Sequence, residues 1–380
     1  MNPALSLFVF IDAFGWDLLE ESRFLEGELP VRRPLTTELG YSSTCDPTIL
    51  TGVSPREHGH FTFYYYAPEA SPFGRLRALA VLPKALTSRA RFRHHLSRWL
   101  QPRLGYTGYF ALYNMPFRHI HLFAYSERRD LYEPGGIIGG QPTVFDELRA
   151  RGITYARSDW RRPDEENLES MHSVLQRGNV RAAYLYLAGM DGAMHRYGTR
   201  GARTQAWLEL YQSGLRRLMT AAHARYRDVR VHVFSDHGMS DVRACIDIQS
   251  TLKSTGLTFG EDYVVAIDST MARFWFLRQG ARLKIETALQ GLVGGQVLSK
   301  SDLIDMCCDF PGQRYGELFF LASPGTLISP SFMGARPVRG MHGYDPRHAD
   351  TRAMYASSVA SQRPNSLRDL HHVMLGSAAA

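Results

Sequence analysis

The sequence predicts an α/β fold, a doubly wound and mostly parallel sheet with inserted cap regions, and three observations carry that reading. Continuous apolar runs recur along the chain, as strands buried on both faces require. Helical patterns fall between the runs, which is the alternation of a parallel sheet. Acidic residues stand within a few positions of the ends of several runs, where open α/β sheets bind their ligands.

Taken in chain order, residues 5–11 (LSLFVFI) form the first run and end at Asp12. Residues 40–59 (GYSSTCDPTILTGVSPREHG) place small hydroxyl residues ahead of Thr51-Gly52 and His58-Gly59. A Ser or Thr there can head a helix, whose first N–H groups and dipole favour a phosphate, although an ordinary N-cap has the same composition. Residues 62–140 interrupt the alternation. They open on Phe63, Tyr64, Tyr65 and Tyr66 and then become basic, with Arg75, Arg77, Arg89, Arg91, Arg93, Arg98 and Arg103 in or beside two short helical patterns. Leu76, Leu79, Leu82 and Leu86 form an apolar stripe that suits packing or a membrane surface equally.

Helices are expected over 142–151, 165–176 and 204–224, and further runs at 180–187, 229–234 and 318–322. Asp191 and His195 are four apart, so one helical turn puts both on one face. Asp236 and His237 directly follow the run 229–234, where a buried charge is costly unless it ligates something. Residues 251–333 mix short strands with a helix near 281–290 and read as a second, smaller insertion. His342 sits between glycines in GMHGYD, so the backbone can approach a site closely. The whole chain, 1–380, reads as one catalytic domain carrying these two insertions.

Composition is that of a globular protein: 44% hydrophobic and 21% charged, without repeats or low-complexity tracts. Cys45, Cys245, Cys307 and Cys308 show no CxxC spacing and read as reduced thiols. The apolar stretch at 5–11 is too short for a signal-peptide core or a membrane span, so a soluble, cytoplasmic protein is expected. The net charge of +7 favours anionic partners, and 74–103 is the candidate for a peripheral membrane contact. No nucleic acid polymer is expected as a partner.

Asp12, Ser42, Asp191, His195, Asp236, His237 and His342 are thus seven candidate metal ligands in five segments. Carboxylate oxygens with imidazole nitrogens suit zinc or manganese. Two such ions about 4 Å apart can hold a phosphoryl group together with its nucleophile, so phosphoryl transfer is the leading chemistry.

The stretches FVFIDAFGWD, TGVSPREHG, AGMDGAMHRYG, FSDHGM and MHGYD, in this order from residue 8 to residue 345, resemble the alkaline phosphatase superfamily, closest to its nucleotide pyrophosphatase/phosphodiesterase branch. The resemblance implies two zinc ions and a Ser or Thr that is transiently phosphorylated. It puts Asp12, Ser42, Asp236 and His237 on one ion and Asp191, His195 and His342 on the other. It also places the nucleophile nine residues before Thr51, at Ser42, with Ser43 and Thr44 as neighbouring alternates. Cys45-Asp46-Pro47 mimics the start of a sulfatase signature, but Ile49 stands where that signature has Arg.

The family's phosphate-holding Asn after the HG block is missing; Phe63 occupies its place. Thr62, His60 and Asn114 are the available substitutes, and Phe63 and Tyr64 are candidates to stack a flat group of the substrate. The expected function is therefore hydrolysis of small anionic phosphodiesters or pyrophosphates through a phosphoseryl intermediate. A biosynthetic phosphotransferase and a phosphonate or sulfate-ester hydrolase are the alternatives on the same scaffold. A non-catalytic binding protein fits poorly, since every ligand position is chemically competent.

Overall fold

The computed structural model describes residues 2–380. Its centre is a six-stranded sheet made of β1 (Asn2–Ile11), β2 (Val31–Leu35), β3 (Tyr155–Arg157), β4 (Ala182–Leu187), β5 (Tyr226–Phe234) and β6 (Ala353–Ser357), in the order β2-β6-β5-β1-β4-β3. β1 pairs in parallel with both β4 and β5, and β3 pairs in parallel with β4. β6 alone runs against its neighbours, between β5 and β2.

β1 shows why the sequence lacks alternation. Leu5, Leu7, Val9 and Ile11 pack into one apolar core, with Leu168, Met171, Leu208, Tyr211 and Leu215. Those partners come from helices Asp164–Arg177 and Ala202–His223. Phe8 and Phe10 pack into another core, with Ile49, Leu50, Phe145, Leu148, Leu370 and Met374. These lie on Ser42–Thr51, Val144–Ala150 and Asp369–Ala379. A strand covered by helices on both faces must be apolar at every position. The helices expected at 142–151, 165–176 and 204–224 are all present, within a few residues of their expected ends.

The run at 318–322 has a different place from the one its pattern suggests. Leu318–Ala322 lies in a separate four-stranded antiparallel sheet with Tyr263–Ile267, Met271–Phe276 and Gly295–Val297. It is also buried on both faces: Leu318 and Phe320 enter one core, Phe319 and Leu321 another. Two-sided burial produces the same apolar run in either sheet, so periodicity cannot distinguish them. The helix expected near 281–290 is Ala281–Gln290.

The segment 62–140 holds a short hairpin, Tyr64–Tyr66 with Phe123–Tyr125, and the helix Ala90–Arg103. Its Phe73, Leu100, Phe110, Leu112 and Phe117 share one apolar core with Val264, Val265, Phe274 and Phe320 of the antiparallel sheet. The segments 62–140 and 251–333 therefore pack on each other, not merely on the central sheet. The leucine stripe divides: Leu76 is buried in this core, whereas Leu86 and the neighbouring Val81 are exposed. Arg93 is buried, donating to the carbonyls of Thr87 and Met115 and lying 3.9 Å over the Phe117 ring. Of the insertion's arginines it is a packing residue, while Arg75, Arg77, Arg89, Arg91, Arg98 and Arg103 are exposed. No described helix is long and apolar enough to cross a membrane, and the four cysteines are free thiols.

Candidate metal centre and adjoining cavity

Strand register brings the site together. Ile11 pairs with Leu187, and Phe10 with both Tyr186 and Phe234, so β1, β4 and β5 end almost level. Asp12 follows β1 at once, Asp236 stands two residues beyond β5, and Asp191 lies in the helix Gly189–Tyr197 that follows β4. His195 is one turn further along that helix. His342 arrives from the far end of the chain, just after the two-residue strand Gly340–Met341 that pairs with Ser240–Asp241.

Two clusters result. The ligand atoms of Asp191, His195 and His342 lie within 4.8 Å of one another, as do those of Asp12, Asp191 and His237. Asp191 belongs to both, so the two groups meet at one carboxylate. His237 Nε2 is 2.9 Å from Asp236 Oδ2 and 3.7 Å from Asp12 Oδ1. His195 Nε2 and His342 Nε2 are 3.2 and 3.6 Å from Asp191 Oδ1. The rings of His237 and His342 stack with centroids 3.7 Å apart.

The hydrogen bonds around the clusters orient their ligands. His237 Nδ1 donates to the carbonyl of Gly238 at 3.0 Å, and His195 Nδ1 to that of Gly340 at 2.8 Å. Each bond fixes the tautomer that leaves a lone pair on Nε2, the nitrogen facing the carboxylates. Tyr186 donates to Asp12 Oδ2 at 3.2 Å, and the Ala13 amide to Asp236 Oδ1 at 3.1 Å.

The electrostatics point to cations. Burial first, then Asp236 and Asp191, push the Asp12 carboxyl well above the usual range. Burial works against the charged form of His237, but Asp236 and Asp191 outweigh it and raise its pKa. Burial, with His237 and His195 beside it, holds His342 well below the ordinary imidazole value. No lysine or arginine among the described residues pairs with Asp12, Asp191 or Asp236, and Oδ1 of Asp12, Oδ1 of Asp191, Oδ2 of Asp236 and Nδ1 of His342 are buried without a hydrogen-bond partner. Three nearby carboxylates with orphaned oxygens and three imidazoles form a donor set that fits divalent ions.

Ser42 opens the helix Ser42–Thr51. Its Oγ is 3.3 Å from His237 Nε2. Ser43 and Thr44 each donate to the carbonyl of Phe61 at 2.7 Å, on the other side of the turn. Of the three hydroxyls, only that of Ser42 borders the imidazoles. The tight entry to this helix needs Gly40, whose φ is +126°; a β-carbon there would lie 2.2 Å from Thr44 Oγ1. Cys45 is buried beside Thr37, and burial raises its thiol well above the ordinary value, which leaves it inert.

A cavity of about 510 Å³ opens beside Ser42 and the metal ligands. Phe63 lines it. Tyr64 and Asn114 stand elsewhere, which corrects their assignment to substrate. Tyr64 is buried with its hydroxyl donating to the Ala111 carbonyl at 2.9 Å, because the strand's pleat sends it to the face opposite Phe63. Asn114 donates to the Ser331 carbonyl at 3.1 Å and ties the insertions together. His60 accepts from the Ile138 amide at 2.9 Å, and burial holds its pKa down to about 3. Thr62 does reach the cavity wall. The sequence reading missed Asp46, Tyr109, Tyr113, Glu127 and Trp160 on that wall. Asp46 was within reach of inference, since it lies one helical turn after Ser42; the others come from irregular segments whose spacing carries no pattern.

A doubly wound sheet, with a serine at a helix start facing carboxylates and imidazoles at the strand ends, defines a hydrolase of the alkaline phosphatase superfamily. Within it, the chain belongs to the Type I phosphodiesterase / nucleotide pyrophosphatase family, whose pattern matches residues 7–345. No curated protein sequence matches the chain significantly. Among solved structures it is similar to human ectonucleotide pyrophosphatase/phosphodiesterase 5, with a TM-score of 0.69 and 14% identity over 99% of this chain and 95% of that one. The inactive murine form of that protein, in complex with AMP, matches with a TM-score of 0.69, 15% identity and the same coverage. Phosphonoacetate hydrolase from Sinorhizobium meliloti 1021, in complex with phosphonoformate, matches with a TM-score of 0.66 and 13% identity over 99% and 96%. At these identities the structural likeness speaks for the fold. The family makes the chain a phosphoester hydrolase, of a kind generally dependent on divalent metal.

Proposed function

We propose that the chain hydrolyses phosphodiester or pyrophosphate bonds of a small anionic substrate, with Ser42 as the nucleophile. One observation carries the reading: three carboxylates without a lysine or arginine partner and three imidazoles converge from distant segments beside the Ser42 hydroxyl. Asp12, Asp236 and His237, with Ser42 itself, would hold one divalent ion, and Asp191, His195 and His342 the other. Asp191 stands close enough to both groups to link them. Zinc is the expected ion for this imidazole-rich set, with manganese as the alternative. When bound, such ions lower the pKa of a hydroxyl and neutralise charge on phosphoryl oxygens.

The chain's own residues supply the rest. Ser42 Oγ attacks phosphorus in line, and the leaving alcohol or phosphate departs on the opposite side, giving a phosphoseryl intermediate. The first N–H groups of the helix Ser42–Thr51 favour the phosphoryl charge. Water then attacks the phosphoserine, releases the product and regenerates the hydroxyl. Tyr186, bonded to Asp12, and the carbonyls of Gly238 and Gly340, bonded to His237 and His195, keep the ligands in place between turnovers. The cavity's size suits a small molecule.

Ser42→Ala tests the reading. With bis(p-nitrophenyl) phosphate, turnover is expected to fall by about 10³-fold or more, while fold and metal content stay near those of the unaltered protein. Full activity in that variant would exclude Ser42 as nucleophile.

A further inference from the structure

A second cavity, of about 550 Å³, lies away from Ser42 where residues 116–122 meet the helix Ile248–Ser254 and the loop after it. One layer of chain separates the two cavities. Phe332 and Ile267 line this one, while their neighbours Ser331, Met333 and Asp268 line the cavity beside Ser42. The Phe332 amide donates to the Ile267 carbonyl at 2.8 Å, and the Asn114 amide donates to the Phe332 carbonyl at 2.7 Å. The loop approaches closely because residue 260 is glycine: its φ is +88°, and a β-carbon there would lie 3.2 Å from His119 Nδ1. His119 stacks on Phe259 with centroids 4.0 Å apart, and Phe259 stacks on Tyr263 and Phe332 at 5.9 and 6.3 Å. With the buried Leu252, Val265 and Ile267, these rings make an apolar floor.

The charges above that floor are nearly all of one sign. Arg77, Arg118 and Lys253 line the cavity, and none of them forms an ion pair among the described residues. Glu261 is the one acid among the described residues of the lining, and it is unpaired too. Two imidazoles stand between the cations. Burial first, then Arg118, His121 and Arg77, holds His119 down to about 4. Nδ1 of His121 is buried without a hydrogen-bond partner. Cations without counter-charge in a cleft with apolar walls focus a positive potential.

We propose that this cavity is a second binding site, for an organic anion with a phosphate head and an apolar body. Guanidinium groups match phosphate oxygens with paired donors, and three cations suit a dianion, where a carboxylate needs only one. The floor of Leu252, Val265, Ile267 and the stacked rings takes the body. A bare inorganic ion would leave that floor wet, and a neutral apolar molecule would leave the cations unpaired. The metal ligands and Ser42 have no part in this site.

The test titrates phenylphosphonate, whose C–P bond ester hydrolysis does not break, into the full-length, zinc-loaded protein by calorimetry. Two saturable sites are expected. One is the metal centre, read independently as competitive inhibition of bis(p-nitrophenyl) phosphate hydrolysis. The other is expected to weaken by about tenfold or more when Arg77→Gln and Arg118→Gln are combined. Both positions are exposed, so the fold tolerates the change. The inhibition constant and kcat are expected to stay as they are. A single site that matches the inhibition constant, or two sites unaltered in the double variant, overturns the proposal. A second arm uses dihexanoyl phosphatidic acid below its micelle concentration. If it binds the same site more tightly than phenylphosphonate, the phosphate belongs to a lipid headgroup; the reverse order assigns it to a free small molecule. One site lost in the double variant, without turnover of any ester, would support the cavity and overturn the hydrolase reading instead.

Discussion

His342 meets Asp191 through Nε2, stacks on His237 and keeps an unpartnered Nδ1. In the proposed division, replacing it takes a ligand from the group with Asp191 and His195 and leaves Asp12, Asp236 and His237 untouched. His342→Ala is therefore expected to lower bound zinc from about two ions per chain towards one, read by metal analysis after gel filtration. Equal loss from both sites would contradict that division. Glu127 makes a separate prediction through linkage. Its carboxyl is raised from the ordinary value to about 8, mainly by burial. The folded chain thus binds a proton that the unfolded chain has released between the two values. The associated stability is complete below the unfolded pKa and is lost as pH rises through about 8. Glu127→Gln, which cannot ionise, should raise Tm relative to the unaltered protein at pH 9 and leave it nearly unchanged at pH 4. The reverse order would show that the carboxylate finds a partner in solution.

Elements transmit these demands. β1, β4 and β5 end level because their parallel register is in step, and that register alone sets Asp12 and Asp236 side by side. The second sheet contributes through Arg273, a fully buried guanidinium on the strand Met271–Phe276. It pairs with Asp268 on the cavity wall at 3.0 Å and donates to the carbonyls of Tyr315 and Tyr64, the latter in the insertion hairpin. Removing one partner of a buried pair leaves the other uncompensated. Arg273→Met is expected to cost about 3–5 kcal/mol in urea unfolding, and adding Asp268→Asn should recover part of that. If the double variant is as unstable as the single one, the carbonyl bonds and not the ion pair govern this junction.

At the scale of the whole molecule, the segments 62–140 and 251–333 share a core, and residues of both line the cavity. Their outer side carries the exposed arginines of 74–103 beside Val81 and Trp99, both largely exposed. Cationic side chains next to exposed apolar ones are what an acidic bilayer surface attracts. The full chain is expected to co-sediment with vesicles of phosphatidylcholine and phosphatidylserine, but not of phosphatidylcholine alone, and to be released at about 0.5 M salt, where the Debye length is only a few ångströms. Sedimentation insensitive to salt would assign the contact to Val81 and Trp99.

From the sequence alone came the doubly wound sheet, the level of its catalytic edge and all the candidate ligands. A strand covered on both faces has to be apolar throughout, and a buried acid at its end has to ligate something, so both leave marks that a single segment can show. The order of the motifs then pointed to Ser42. That the Ser42 hydroxyl alone of the three borders the imidazoles required the fold, because Ser43 and Thr44 donate to a carbonyl seventeen or eighteen residues away. The run at 318–322 needed it too, since burial on two faces does not say which sheet supplies the cover. The aromatic wall with Glu127 was invisible for the same reason: Phe63, Tyr109, Glu127 and Trp160 obey no common period and meet only when the insertions pack over the strand ends. Local pattern records what each segment buries, whereas the pocket's chemistry depends on which segments bury one another.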